Sequence, residues 1–249
     1  MENELKYKFV KPDSTLADFV DCYWRLENQS ENNKGNILPD GKIDLFFYKT
    51  ADNQLRITLV GLETKPKEGA RIGFPVTAIS FKPLAIEYLF QFSIADILDN
   101  AKPMPNDFWY FILDDLDDFE LFCKKVSEKI QSLLPKNIDD RKLKLFDLIY
   151  SSNGSLTIQE LSEKVSWSSR QINRYFNQQF GLSLKAYCNI VRFRSSFQHI
   201  KDGKLFPEQN FADQSHFIRD VKKLSGVSPK ELNKNQNDRF IQFSTLDPK

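Results

Sequence analysis

The chain has 249 residues, 41% hydrophobic and 28% charged, with 35 Lys+Arg against 34 Asp+Glu. These proportions exclude a disordered or fibrous protein, and the length suits two domains better than one. No stretch approaches the ~20 apolar residues of a membrane-spanning helix, and the start MENELKYKF lacks the pattern of a signal peptide. Three distant cysteines and two histidines argue against a disulfide framework or a His/Cys metal centre. The expectation is a cytoplasmic protein with no cofactor, no metal and no membrane partner.

Charge is spread unevenly. Residues 1–154 hold 20 Lys+Arg and 25 Asp+Glu, whereas residues 155–235 hold 13 and 7. An acidic front and a basic rear suggest a nucleic-acid-binding domain attached to a domain with another job.

The first hundred residues read mainly as β. Runs at 42–49 (KIDLFFYK), 55–62 (LRITLVGL) and 76–82 (VTAISFK) are rich in Ile, Val, Phe and Tyr, with turn residues between them. Several short strands at this spacing predict a sandwich or barrel. Within 12–24, Leu16, Phe19, Val20 and Tyr23 have helical spacing, so a helix is expected there. Residues 27–35 (ENQSENNKG) read as a polar loop, and 84–92 as a short helix. Residues 118–134 place Leu121, Phe122, Val126, Ile130, Leu133 and Leu134 on one face of an amphipathic helix that could link domains or contact a second copy. The acidic run 114–118 suits a helix N-terminus. Tyr7, Tyr23 and Trp24 could line a ligand pocket or fill the core.

From 139 the chain reads as all-helical, with helices at 139–152, 158–165, 169–180, 184–201, 214–224 and 229–234. Capping boxes occur at Thr157/Glu160, Ser168/Gln171 and Ser228/Glu231, the last with Pro229 at the first helical position. Gly154, Gly181, Gly203 and Gly226 stand where helices should stop.

Helices 158–165 and 169–180 have the spacing of a helix-turn-helix. In the second of them Ile172, Phe176 and Phe180 form a core stripe. Arg170, Asn173, Arg174 and Asn177 form another face, with no acidic side chain. Arg pairs with guanine O6/N7 and Asn with adenine N6/N7, so this face can read bases. Helix 214–224 repeats the design: Phe217, Val221 and Leu224 inside, with Ser215, Ile218, Arg219 and Lys222 opposite and Gln214 in the first turn. Asp213 is its expected N-cap. His216 could touch a phosphate or a base, or bond locally, and His199 reads as a packing or surface residue.

These residues carry a resemblance. SLTIQELSEKV, SSRQINRYFNQQFGLSLKAY, Arg192 with Arg194, and ADQSHFIRDVKKLSGVSP at 212–229 together resemble the DNA-binding domain of the AraC/XylS family of bacterial transcription regulators. The resemblance spans residues 155–233. It implies base contacts from Arg170, Asn173 and Arg174 and from Gln214, Ser215 and Arg219. It further implies phosphate contacts from Lys222, Lys223 and neighbouring helix N-termini. Ser166 stands where the family usually has a turn glycine. The helix that normally precedes the second reading helix is represented only by 204–212 (KLFPEQNFA), which contains Pro207. Nine residues with a central proline cannot hold two helical turns plus a turn. An irregular support plugged by Leu205, Phe206 and Phe211 is expected.

FVKPDSTLADFVDCYW (9–24) and LPDGKIDLFF (38–47) resemble the cupin-like domain found in front of some AraC-type domains. Cupin metal sites use histidines, and this half has none, so a metal-free sensor or dimerisation domain is implied.

The expected fold class is α+β in two domains. A cupin-like β-domain at 1–110 and a helical linker at 111–138 precede a double helix-turn-helix domain at 139–235, its second motif abbreviated, and a tail at 236–249. The expected function is sequence-specific binding of double-stranded promoter DNA to regulate transcription. The expected partners are a small-molecule effector, a second copy of the chain and RNA polymerase. The alternative is a ligand-binding or protein-interaction module whose degenerate C-terminal domain binds DNA weakly. An enzyme is not expected: there is no phosphate-binding loop, dinucleotide fingerprint or nucleophile elbow, and Cys22 has no His in its own domain.

Overall fold

The computed structural model describes residues 5–28, 35–68, 75–206, 211, 213–235 and 239–245. The strands are β1 (Leu5–Val10), β2 (Val20–Asn28), β3 (Asn36–Ile37), β4 (Ile43–Lys49), β5 (Leu55–Val60), β6 (Lys67–Glu68), β7 (Val76–Phe81) and β8 (Ala101–Met104). The α-helices are α1 (Phe119–Leu133), α2 (Asp140–Ser151), α3 (Ile158–Val165), α4 (Ser169–Phe180), α5 (Leu184–Ser195), α6 (Phe197–Lys201), α7 (Gln214–Ser225), α8 (Pro229–Lys234) and α9 (Ile241–Ser244). The fold class is α+β with two domains. One compact unit comprises residues 1–31, 42–62 and 72–139, and the other 32–41, 63–71 and 140–249.

The first unit is built on a six-stranded antiparallel sheet of order β1-β2-β7-β4-β5-β8. Strand alternation sorts its side chains. Tyr23, Ile43, Leu45, Phe47, Ile57, Leu59, Ile79 and Phe81 are buried on one face. There α1 covers them with Phe122, Val126 and Ile130. Phe47 lies 5.2 Å from Phe122, and Tyr23 Oη lies 2.9 Å from Ser127 Oγ. The other face carries Tyr7, Trp24, Phe46, Ser80 and Asp44. On it the Trp24 indole N–H donates to Ser80 Oγ at 3.0 Å, and Ser80 donates to Asp44. Tyr23 is therefore a core residue, while Tyr7 and Trp24 are half-buried on the opposite side.

Several expected elements change. Only Ser14–Leu16 in the segment 12–24 is helical, as a 3-10 turn, and Val20–Asn28 is a strand. The spacing of Leu16, Phe19, Val20 and Tyr23 fits a helix, but Val20, Tyr23 and Trp24 find pairing partners in β1 and β7. Tertiary pairing overrides the local pattern. Residues 84–92 contain a π-helical turn, Ile86–Phe90, closed by Gln91 in the left-handed region. In α1, Leu121 is 65% exposed and does not share the buried face. Asp118 caps α1, its carboxylate accepting from the N–H groups of Glu120 at 2.8 Å and Leu121 at 3.1 Å.

The helical unit follows the expected helices with one break and one addition, α9, which lies in the expected tail. The single helix expected over 184–201 is divided at Ser196, whose hydroxyl donates to the Phe193 carbonyl at 2.6 Å while its N–H bonds the same carbonyl. That i→i−3 pairing ends α5 and starts α6. All three capping boxes form. Phe146, Phe176, Phe180 and Tyr187 build an aromatic core between α2, α4 and α5, with Phe176 5.7 Å from Phe146 and 5.5 Å from Tyr187. Gly154 (φ 68°) lies so close to the Cys188 carbonyl that any Cβ would collide with it. Residues 29–34 of the expected polar loop, 207–210 and 212 of the irregular support, and 236–238 and 246–249 of the tail lie outside the described residues.

Candidate nucleic-acid interface

The α3–α4 pair is a compact helix-turn-helix. At its entrance the Glu160 N–H donates to Thr157 Oγ1 at 3.2 Å, and the Thr157 N–H donates back to the Glu160 carboxylate at 2.7 Å. The Thr157 N–H and hydroxyl, both donating to it, hold the Glu160 carboxyl below its ordinary range. Ser166 closes α3 with φ 51° and ψ 43°, so serine takes the left-handed conformation usually supplied by glycine. Ser168 and Gln171 then cap α4 reciprocally at 3.3 and 3.1 Å. Leu161, Val165, Ile172 and Phe176 are buried between the two helices and the core.

This packing leaves one face of α4 outward. Arg170, Arg174 and Asn177 are exposed and Asn173 half-buried. The amides of Asn173 and Asn177 are turned back along the helix: Asn173 Nδ2 donates to the Ser169 carbonyl at 3.0 Å, and Asn177 Nδ2 to the Asn173 carbonyl at 2.8 Å. To reach a base, each amide must exchange this bond for one to the base edge. The two arginines have no such engagement to release within the helix. The first turn of α4 holds no acidic residue.

Beside α4 lies a cluster that sequence reasoning missed. Trp167 in the turn packs on Tyr175 at 5.3 Å. The Arg141 guanidinium sits over Trp167 at 5.5 Å, and the Lys142 ammonium over Tyr175 at 4.9 Å. Both cations come from the first turn of α2 and add positive charge at the α3–α4 turn. Their distance of some 30 residues from α4 in sequence hid the association.

The second motif is built differently. After α6, Gly203 and the described residues as far as Phe206 form no helix. Phe206 is 53% exposed, so it does not plug the core as expected. Phe211 does pack, 5.0 Å from Phe217 of α7. His199 is buried, and its Nε2 lies 2.6 Å from the Phe206 carbonyl. A carbonyl can only accept, so Nε2 carries the proton. His199 thus ties the segment leading to α7, a structural role.

Asp213 caps α7, its carboxylate accepting from the His216 N–H at 2.8 Å. Phe217, Val221 and Leu224 are buried. Gln214, Ser215, Arg219 and Lys222 are exposed and His216 half-buried. The Gln214 amide reaches the Leu205 carbonyl only at 3.5 Å. His216 Nε2 lies 3.2 Å from Asp220, one turn on. Asp220 was overlooked in the sequence, although the i, i+4 spacing from His216 exposes it. Lys222 and Lys223 stand in the last turn of α7, where they also complement the helix dipole. Arg192 is spent on structure: Nη2 donates to the Gly154 carbonyl at 2.8 Å, and the guanidinium lies over Phe211. Arg194 lies over Phe197 at 4.9 Å.

Burial pushes the thiols of Cys22, Cys123 and Cys188 up to about 12, so all three are protonated and weakly nucleophilic at neutral pH. Among the described residues no group of three His, Cys, Asp or Glu could hold a metal ion. Among them, too, no helix is long and apolar enough to cross a membrane.

A family model described as Domain of unknown function (DUF6597) matches residues 8–103, ending before α1. No curated protein matches the chain. Solved structures of ToxT from Vibrio cholerae resemble the chain at low identity and low TM-score. An apo variant is 14% identical with a TM-score of 0.42, covering 93% of this chain and 98% of that one. A form bound to an unsaturated fatty acid is 12% identical with a TM-score of 0.42, covering 94% and 97%. A further ToxT structure is 13% identical with a TM-score of 0.41, covering 92% and 97%.

Proposed function

We propose that the chain is a DNA-binding transcription regulator of the AraC/XylS kind, with α4 and α7 reading successive major-groove segments of promoter DNA. The observation that carries this reading is the outward face of α4. Arg170, Asn173, Arg174 and Asn177 stand on a firmly capped, well-packed helix with no carboxylate among them and with Arg141 and Lys142 alongside. On α7 the base-reading set is Gln214, Ser215, His216 and Arg219, with Lys222 on phosphate. The test is genome-wide binding of the intact protein, followed by titration of a bound promoter fragment at several salt concentrations. Recurrent sites and a specific affinity well above that for random DNA are expected. Equal, sequence-blind binding would overturn the reading.

The sheet unit serves as sensor, dimer contact or both, and the proposal includes a small-molecule effector, a second copy and contact with RNA polymerase. No catalytic or cofactor-binding role is assigned to any residue. An effector that binds only the folded unit would raise its melting temperature by mass action, while a chelator would leave it unchanged. A chelator-induced drop would overturn the metal-free reading. The second reading, a module with a degraded DNA-binding domain, draws on the non-helical approach to α7 and on the carboxylate of Asp220. Only weak, sequence-blind binding would favour it.

A further inference from the structure

Residues 32–41 and 63–71 lie between sheet strands in sequence, yet they belong to the helical unit. There β3 and β6 pair as a two-stranded ribbon, Asn36 opposite Glu68 and Ile37 opposite Lys67. The ribbon is fastened at several points. The Leu38 main chain is clasped by Gln242 of α9: its N–H donates to Oε1 at 2.8 Å, and its carbonyl accepts from Nε2 at 2.9 Å. The Asn36 N–H donates to the Arg239 carbonyl at 2.5 Å. The Gly41 carbonyl accepts from Tyr187 Oη of α5 at 3.1 Å, and Tyr187 Oη is 2.8 Å from Tyr150 Oη of α2. Pro66 lies against Gly226, the cap that ends α7.

These contacts are core contacts. Leu38 and Tyr187 are fully shielded from solvent, and burial holds the Tyr187 phenol well above its ordinary range. Gly41 has φ 78°, and the Tyr187 ring would sit 3.4 Å from any Cβ there. The left-handed backbone at position 41 is what calls for glycine.

Two connections between these segments and the sheet unit lie among the described residues. Gly41, held by Tyr187, is followed directly by Lys42, which pairs with Asp21 of β2 at 3.0 Å, and β4 begins at Ile43. At the second, the Leu62 carbonyl accepts from the Asp99 N–H at 2.8 Å, one residue before the chain enters 63–71. A change in the strands that moves Lys42 or Leu62 must pull on backbone that forms part of the helical core.

We propose that the β3–β6 ribbon is a coupling strap through which the state of the sheet unit sets the order of α5, α7 and α9. Its effect on DNA rests on the reading of α7 given above. The physical content is that a strand perturbation is felt as loosened hydrogen bonds at Gly41 and Leu38, and hence around Tyr187 and Gln242. Rigid elements sharing buried contacts transmit such shifts more readily than flexible linkers do.

The test is hydrogen–deuterium exchange on the intact protein. Lys42→Met keeps the aliphatic stem and removes the Asp21 ion pair, a pair within the sheet unit. It should accelerate exchange of the amides at 36–41, in α9 and around Tyr187 by about fivefold, the equivalent of one weakened hydrogen bond. Gln242→Ala, a break made inside the helical unit, should accelerate the same amides. Tyr48→Phe, which touches β4 away from the ribbon, should leave them unchanged. The strap is overturned if the effect of Lys42→Met stays within β2 and β4, or if Tyr48→Phe reaches α5 and α9 equally. Promoter affinity is measured on the same variants and should fall with the accelerated exchange. Failure of the wild type to bind DNA would overturn the regulator reading and leave exchange to decide the strap. Unchanged affinity despite accelerated exchange would overturn the strap's role in DNA reading.

Discussion

Between Thr157 and Gly181 the chain forms two capped helices joined by a left-handed serine. Between Gly203 and Gly226 it forms one capped helix approached by a segment whose described part is not helical. Both stretches present a polar face from a helix whose apolar stripe is buried. They differ in what holds that helix and in the charge it carries. The α4 helix is braced by α3 through Leu161, Val165, Ile172 and Phe176, and its outward face is free of carboxylates. The α7 helix is braced by Phe211 and by the His199 tie to Phe206, and it carries Asp220 beside His216. A reading helix is useful only as far as its support fixes its angle in the groove. The difference predicts that the two halves contribute unequally to recognition.

The largest expected effect breaks α4. Arg174→Ala should cost about 1–3 kcal/mol of specific promoter binding and much less on random DNA. Arg219→Ala, on the less firmly held helix, should cost less than Arg174→Ala in the same assay. A base-substitution scan should likewise show the steeper penalties in the half-site read by α4. Equal penalties in both half-sites would mean that the Phe211 and His199 contacts support α7 as firmly as α3 supports α4.

Caps come next. Ser168→Ala removes the oxygen that accepts the Gln171 N–H and should lower stability by about 1 kcal/mol. Chemical denaturation measures this directly. Specific affinity should fall with it, because the same turn carries Arg170. A stability loss with unchanged affinity would separate the order of the first turn from DNA reading.

Much of this contrast was legible in the sequence, and the parts that were not share a cause. The three capping boxes, the glycine stops and the apolar stripes of α4 and α7 are local signals read within two to three turns, and each appears where expected. The strand Val20–Asn28 was misread because Leu16, Phe19, Val20 and Tyr23 satisfy helical spacing while the deciding partners lie in β1 and β7. The break at Ser196 depends on a side-chain bond that no apolar periodicity reports. The Arg141, Lys142, Trp167 and Tyr175 cluster and the seating of Gly41 against Tyr187 join residues about 25 to 146 positions apart. Contacts of that kind arise from packing, and a single sequence does not display them.

A smaller effect should come from Asp220. Asp220→Asn removes the carboxylate that meets His216 on α7 while keeping a hydrogen-bond acceptor for it. Affinity at low salt should rise about two- to threefold, with the gain fading as salt screens the phosphates. Fluorescence anisotropy at two salt concentrations is sufficient. A fall in affinity would reverse the interpretation, making the His216–Asp220 pair a device that aims the imidazole at DNA.

The smallest effect separates the helices by the chemistry of their caps. Glu160 on α3 and Glu231 on α8 close their boxes with a carboxylate, and the amide donors hold both below the ordinary glutamate value of 4.5. Gln171 closes the box of α4 with an amide that does not titrate. A carboxyl depressed in the folded state adds stability that is fully present above its unfolded value and is lost as pH falls through the folded one. Acidification below 4.5 should therefore fray the first turns of α3 and α8 while leaving the first turn of α4 protected. Amide exchange compared just above and well below that pH reads the difference residue by residue. The decisive amides are those of Thr157 and Ser228, which donate to the two carboxylates, against that of Ser168, which donates to the Gln171 amide oxygen. If Ser168 loses protection together with Thr157 and Ser228, the turns are failing through general loss of the helical core. If it does not, the carboxylate boxes are the acid-sensitive points of both motifs, and α4 keeps its order after its neighbours begin to open.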